Sequence, residues 1–526
     1  MNCPLPLKLI LLLALALWLV PSTAAAEKGE SPPDDAPVEA SPVDEDEPSV
    51  APPDPEAELL ASASAIAERV AEIRQLPRLA EIPKGVQDRE QLRAMLIERF
   101  EEEVPQDVFL AEERVFQRVG LFPADLDYRE LMLDLLTEQI AGFYDQSAKE
   151  LYIMAGLPER VQKPAMAHEI FHAIQDQHFD IGALLAPFES SENADFSLAR
   201  MALIEGDATV LMIDYELYEQ GVLPQNRARS IIDIPALAAV LMEMDATQLA
   251  AVEQMEESSA IDLGGDAVPS LTDSVLGNSP PIVRDSLLFP YVDGMRFVIR
   301  ARAGRSWSEF NEIYGDAPLS TSQILHPERY FEEDAPVEVR FSAAGALPDH
   351  EVIYDTVFGE MRMRSWLKTH LSEEIDSFEL DEIAAGWDGD RIRGYQRGDD
   401  ELLVATLSSW RSVEQAQAFA EAMKKSASLR HDAASSHRAG DYGEAWTLRF
   451  GPNEDGERIF IERWGEMVLY VEGLSSRLDD EGQESDPTLL LVRDSIWDSL
   501  ARVPFDEVLA ARLAEMNEAE ERPAAQ

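Results

Sequence analysis

Cysteine is nearly missing from this 526-residue chain, and the single one is Cys3. Beyond it no disulfide can form and no thiol can act as a nucleophile. The core must hold itself together, and any metal site must draw on His, Asp and Glu. Basic residues are scarce too. Lys and Arg number 44 against 101 Asp and Glu, a formal charge of −57. A chain of that sign has no basic surface to offset phosphate, which argues against nucleic acid as a partner. An anionic membrane surface is excluded for the same reason, and the excess acid serves solubility.

Long apolar runs are missing except at the start. Lys8 is the only charge in the first 26 residues, an apolar stretch runs from Leu9 to Val20, and small residues end it at Ala24-Ala25-Ala26. A short core with an A-x-A exit reads as a cleavable signal over residues 1–26. It is too short for a comfortable membrane span. The expected location is therefore secreted or periplasmic, with no stable span after cleavage. Cys3 precedes the run and so is not a lipid-carrying cysteine. Residues 27–58 lack aromatics and hold eight prolines, twelve acidic residues and one Lys. Such a segment cannot bury enough apolar surface to order itself and reads as an acidic linker.

What is present begins at residue 59. Hydrophobic residues make up 45% of the chain, enough for more than one core. Helical periodicity runs through ELLASASAIAERVAEIRQL and REQLRAMLIERFEEEV. IAGFYDQSAKELYIM places two β-rich pieces around a polar turn, a hairpin. Helices are expected from Pro164 to about Gln177, with the proline in the first turn, from Asp195 to Gln220, and from Tyr291 to Ala303. Residues 256–282, rich in Gly, Ser, Pro and Asp, read as a surface loop or lid. A boundary near residues 342–351 separates a domain of residues 59–342 from a second α+β domain of residues 343–510. In the latter, helices near 359–371, 412–425 and 486–502 mix with strands at 391–396, 401–408, 443–450, 457–463 and 467–473. The tail, residues 511–526, is expected to fray from Glu515. The fold class is α+β.

Histidine is also rare, with eight in the chain, yet two fall in His168-Glu169-Ile170-Phe171-His172. Residues four apart share one helical face, so both imidazoles reach one ion. Glu169 lies about 100° further round, where it serves as a general base toward water on that ion without being a ligand. Composition alone yields such an HExxH roughly once in a hundred chains of this kind. Met166, Ile170, Ala173, Ile174 and Gln177 form the opposite face, giving the helix an apolar back and a histidine front. The pattern points to zinc and to peptide-bond hydrolysis.

A catalytic zinc site needs a third protein ligand. His178 would give HExxHxxxxxH, the metzincin spacing. That family has Gly where this chain has Gln175, and Gln disfavours the backbone conformation of that sharp turn. If the helix continues, His178 points roughly 120° away from His172. Glu205, in the apolar run RMALIEGDATVLMI, is the other choice. A carboxylate in a helix apolar nearly all round needs a metal or a charge partner such as Arg200. Gly206 would let this helix approach the first one closely.

Two helices, HExxH on one and Glu on the next, resemble the gluzincin metallopeptidases. The blocks IAGFYDQSAKELYI, AHEIFHAIQDQHFD, ALIEGDA, FPYVDGMRFV and TSQILHPERYF resemble a poorly characterised group of bacterial zincins and cover most of residues 130–335. The resemblance implies a zincin-like domain with Zn²⁺ on His168, His172 and Glu205, and Glu169 as base. It implies a peptide or protein substrate lying along the edge of the hairpin at 140–154. It implies a downstream His or Tyr, here His326 or Tyr330, stabilising the oxyanion. Many gluzincins carry an Asp four residues after the Glu to steady a histidine; this chain has Thr209 there, and Asp207 faces elsewhere. The competing reading is a non-catalytic envelope protein that binds a partner through a zincin-like fold with a structural metal.

Two weaker features belong to the second domain. The stretch Ala384 to Arg391 reads as a tight turn between helix and strand rather than a ligand site built on Trp387 and Arg391. His431 and His437 read as solvated.

Overall fold

The computed structural model describes residues 55–103, 106–138, 142–188, 192–223, 230–243, 274–398, 401–431, 434–439, 443–450, 457–475 and 488–521. The signal segment, residues 27–54 of the linker and residues 256–273 of the expected lid lie outside them. The chain is α+β. Among the described residues no helix is long and apolar enough to cross a membrane.

The N-terminal half is mainly helical. Helix α1 spans Pro55–Arg74, so the last four residues assigned to the linker are helical. Pro55 suits a first turn, and Glu56 and Glu58 complement the positive helix end. Strand β1 is Lys84–Gln87, followed by α2 (Arg89–Glu103), α3 (Gln106–Arg118) and α4 (Tyr128–Glu138). The hairpin forms as expected, β2 (Gly142–Asp145) antiparallel to β3 (Glu150–Met154). β1 adds to it in parallel, giving the order β1-β3-β2. Four residues, KGVQ, carried no periodicity from which to read that strand.

Helix α5 spans Glu159–Phe179. It starts five residues before Pro164, which therefore lies inside the helix rather than in its first turn. The proline removes one intrahelical bond near the N-terminus, where few have yet begun. Helix α6, Ala194–Glu219, is buried on nearly every side, as its composition demanded. Asn193 caps it by accepting from the Phe196 amide at 3.0 Å. Helix α7 spans Pro281–Arg302 and begins ten residues earlier than expected, because Pro281 starts a helix well and Pro290 sits within it.

The back of α5 behaves as read. Met166, Ile170, Ala173 and Ile174 are buried with Ile66, Val70 and Ile73 of α1 and with Leu211 and Tyr215 of α6. The role given to Gly206 needs correction. A Cβ there would stand 2.2 Å from the Gly294 carbonyl carbon, so the close approach is to α7, not to α5. Gly294 returns the contact: its Cβ would stand 2.1 Å from the Ala202 oxygen.

After β4 (Val337–Arg340) and β5 (Glu351–Thr356) comes α8 (Gly359–Leu371), and then β6 (Trp387–Arg397) and β7 (Glu401–Trp410). Helix α9 (Val413–His431) precedes β8 (Ala434–Ala439), β9 (Glu444–Phe450), β10 (Glu457–Trp464) and β11 (Met467–Ser475). Seven strands make one antiparallel sheet ordered β5-β6-β7-β11-β10-β9-β8. Helix α10 (Thr488–Asp498) packs on one face through Leu489, Val492 and Ile496. Strand β12 (Ala501–Pro504) pairs with β4. Helix α11 (Phe505–Glu521) follows, so residues 515–521 of the expected fray are helical.

The other face of the sheet carries a core that crosses residues 342–351. Phe109, Phe116, Phe122 and Leu136 are buried with Phe358, Trp366, Phe419 and Tyr470. Helix α3 thus packs on the C-terminal sheet, with α4 against it, although periodicity places both with the N-terminal half. Ala385 and Gly386 form the turn before β6; Trp387 is buried and donates to Asp390 at 2.8 Å, so it is unavailable to a ligand. His431 is not solvated, for its Nε2 lies 3.4 Å from the buried Glu472. The His437 side chain lies outside the described ones.

Candidate metal centre

α5 and α6 lie side by side, and each contributes to one point. His168 Nε2 is 3.1 Å from Glu205 Oε2, His172 Nε2 is 3.0 Å from His168 Nε2, and His172 Nε2 is 3.3 Å from Glu205 Oε2. Among the described residues this is the one such group of three side chains suited to hold an ion. Atoms bound tetrahedrally to zinc at about 2.0–2.1 Å stand about 3.3 Å from one another. The triangle therefore has the size that zinc requires, and two nitrogens with one carboxylate oxygen are a donor set it takes. Glu205 presents Oε2 to both histidines, while its Oε1 is buried outside the triangle.

Glu169 stays out of the triangle. Its Oε2 accepts from the Tyr144 amide of β2 at 2.9 Å. That amide points away from β3 and would otherwise be open on the hairpin edge, so the base candidate already occupies one group expected to meet a peptide. Burial, with Glu205 nearby and His172 opposing, lifts the Glu169 carboxyl to about 8. Burial alone would raise Glu205, but His172 and His168 hold it down to about 2. Burial lowers His172, and Glu205 more than reverses that, to about 9. Burial also lowers His168.

His178 lies elsewhere. The helix runs through Gln175 and ends at Asp180, which adopts a left-handed conformation with φ 47°. His178 Nε2 donates to the Pro77 carbonyl at 2.6 Å, and its ring lies 5.9 Å from Phe179. Arg200 is not the partner of Glu205; it donates to the Leu184 carbonyl at 2.7 Å and stacks on Phe196. His326 and Tyr330 are committed away from the triangle. His326 Nε2 is 2.7 Å from Glu360, and the Tyr330 hydroxyl donates to the Asp316 carbonyl at 2.8 Å.

The tyrosine beside the site is Tyr291 of α7, which was not singled out from sequence although it stands in FPYVDGMRFV. Its ring lies 6.2 Å from that of His168, at 27°. Its buried hydroxyl faces Glu205 and Glu169 and makes no hydrogen bond of standard geometry. The signal available was its place three residues before Gly294, the glycine that lets α7 touch α6.

Gln175 also has a role beyond continuing the helix. Its Oε1 is 2.8 Å from His172 Nδ1, and its amide nitrogen donates to the Ile204 carbonyl at 3.0 Å and to the Tyr314 hydroxyl at 2.8 Å. Asp207 does face elsewhere: Arg74 donates to both its oxygens, each at 2.9 Å. Thr209 carries a buried hydroxyl without a partner, and the outer side of His168 meets the backbone of Ala208 rather than a side chain. The steadying carboxylate common in gluzincins is absent from that side.

Residues 350–481, a quarter of the chain, match a family described as a domain of unknown function (DUF8575). They cover the seven strands with helices α8 and α9, but not α10 and not the metal centre. No curated protein and no solved structure matches the chain.

Proposed function

We propose that this protein is a zinc-dependent peptidase of the gluzincin type, with His168, His172 and Glu205 holding the metal and Glu169 as general base. The observation that carries the reading is the triangle of 3.0, 3.1 and 3.3 Å edges, built from two helices, with Glu169 beside it but not in it. Zinc held there would supply Lewis acidity to a water and to a substrate carbonyl. Glu169 would take the proton from the attacking water and pass it to the leaving amine. The Tyr291 hydroxyl, buried and facing Glu205 and Glu169, would donate to the oxyanion, a role that replaces the one expected of His326 or Tyr330. A zincin-like fold of the N-terminal half, a secreted or periplasmic location and a peptide substrate belong to the same proposal.

One observation favours a second reading. His168, Glu169, His172 and Glu205 are all at most 5% exposed. A site closed to that degree also suits a structural metal in a non-catalytic binding protein. Metal analysis of the purified protein, with a peptide-library digest of the wild type and of Glu169→Gln, separates the two. The peptidase reading expects zinc in both proteins and cleavage only by the wild type. Zinc in both with cleavage by neither would support the structural reading. Full zinc occupancy in His168→Ala or His172→Ala would remove the site altogether.

A further inference from the structure

We infer that a buried chain of hydrogen bonds from Arg74 fixes His172 as the tautomer able to bind metal, and so sets the affinity of the centre. The inference rests on the metal site proposed above. The chain starts on α1, far from the HExxH in sequence, and each bond in it has only one possible direction.

Arg74 is fully buried and its guanidinium stacks 4.0 Å over Trp307. A guanidinium has donors and no acceptor, so Asp207 must accept at both oxygens. Asp207 Oδ2 is also 2.8 Å from the Tyr314 hydroxyl, and a carboxylate paired with Arg has no proton to give, so Tyr314 donates. With its one proton spent, the Tyr314 oxygen can only accept, and what it accepts is an N–H of Gln175 at 2.8 Å. The Ile204 carbonyl, 3.0 Å from the same amide nitrogen, can only accept as well. Two independent acceptors thus hold the Gln175 amide one way round. Its oxygen is left facing His172 Nδ1 at 2.8 Å, and that nitrogen must carry the proton. The lone pair of the neutral ring is then on Nε2, the atom in the triangle with His168 and Glu205.

The wrong tautomer would place a proton where the ion should sit, and a metal-binding histidine depends on its outer hydrogen bond for orientation and basicity. His168 has no such chain of side chains behind it; its outer support is the backbone of Ala208. Arg74, Asp207, Tyr314 and Gln175 are therefore positioning residues for one ligand of the two. The chain also explains why a glutamine occupies position 175 and why Asp207 lies buried while pointing away from the metal.

The test compares metal affinity, by chelator competition, with thermal stability of the metal-free protein, in Gln175→Leu, Gln175→Glu and Tyr314→Phe. Leucine removes the acceptor; glutamate keeps an acceptor for Nδ1–H but loses the amide donors. The inference expects affinity about 10- to 100-fold weaker in Gln175→Leu, the range typical of such outer partners, and a smaller but measurable loss in Tyr314→Phe, where the Ile204 carbonyl still holds the amide. It expects Gln175→Glu to keep wild-type affinity or better while melting lower. In the cobalt-loaded protein the shifted, exchangeable ring N–H proton of His172 should be present in the wild type and in Gln175→Glu. It should exchange fast or vanish in Gln175→Leu and exchange faster than in the wild type in Tyr314→Phe. If affinity simply follows melting temperature through all three variants, or if Tyr314→Phe leaves affinity and the N–H signal unchanged, the inference is wrong. A wild type that binds no metal would instead defeat the site itself.

Discussion

Replacing Gly206 by Ala tests how the centre is assembled, because the change is next to Glu205 yet touches no ligand. Its added Cβ would stand 2.2 Å from the Gly294 carbonyl carbon, 2.4 Å from the oxygen and 2.6 Å from the Met295 nitrogen. All three are backbone atoms of α7 and no side chain can swing aside. Restoring ordinary contact at 3.4 Å requires α6 and α7 to separate by about 1.2 Å. Overpacking of this kind costs about 1–3 kcal/mol, and the rigid partner places it at the upper end. Alanine returns roughly 1 kcal/mol of helix propensity, so the net loss should be about 2 kcal/mol. Glu205 moves with α6 while the histidines stay on α5, and an edge of about 3.3 Å in the triangle does not survive a 1 Å shift. Metal affinity should fall at least about tenfold, equivalent to about 1.4 kcal/mol. Urea unfolding of the metal-free protein and chelator competition on the loaded one measure the two losses separately. Gly315→Ala, with nothing within 4 Å of its added carbon, is the control and should change neither. Wild-type stability and affinity in Gly206→Ala would show that the α6–α7 contact does not place Glu205.

Glu205→Ala should abolish tight zinc binding, whereas His178→Ala should leave it at wild type; zinc retained by the first or lost from the second reverses the ligand assignment. Tyr291→Phe should bind zinc normally and lose most peptide cleavage, and full activity would remove the tyrosine from the oxyanion role. His370 gives a pH dependence. Burial lowers it to about 4, and as a neutral ring it accepts at Nδ1 from Ser426 and donates from Nε2 to the Gly120 carbonyl. A base whose folded pKa lies below its unfolded value of about 6.5 favours the fold above pH 6.5, and that stability is lost as pH falls toward 4. The wild-type unfolding midpoint should drop across that window more steeply than that of His370→Gln, and parallel profiles would contradict the assignment.

Sequence alone determined the local parts. An apolar back and a histidine front on one helix, a carboxylate stranded in an apolar helix, and a Gln where a sharp turn would need Gly were enough to choose Glu205 over His178. Each follows from spacing and burial within one element, which is why they could be read along the chain. Five of the seven strands of the large sheet, β6, β7, β9, β10 and β11, were legible for the same reason, since alternation of period two shows within a single strand; the edge strands β5 and β8 were not. What the sequence could not contain was which elements meet. Gly206 announced a close approach but not its partner, since a missing Cβ says nothing about what fills the space. Tyr291, Tyr314 and Arg74 come to the centre from helices more than ninety residues from the motif, and only packing decides that three such side chains point one way. The seam between α3 and the C-terminal sheet was likewise invisible, because an apolar stripe on a helix declares that it must be covered but not by which surface. Tertiary structure decided the neighbours, and through them the proton on His172.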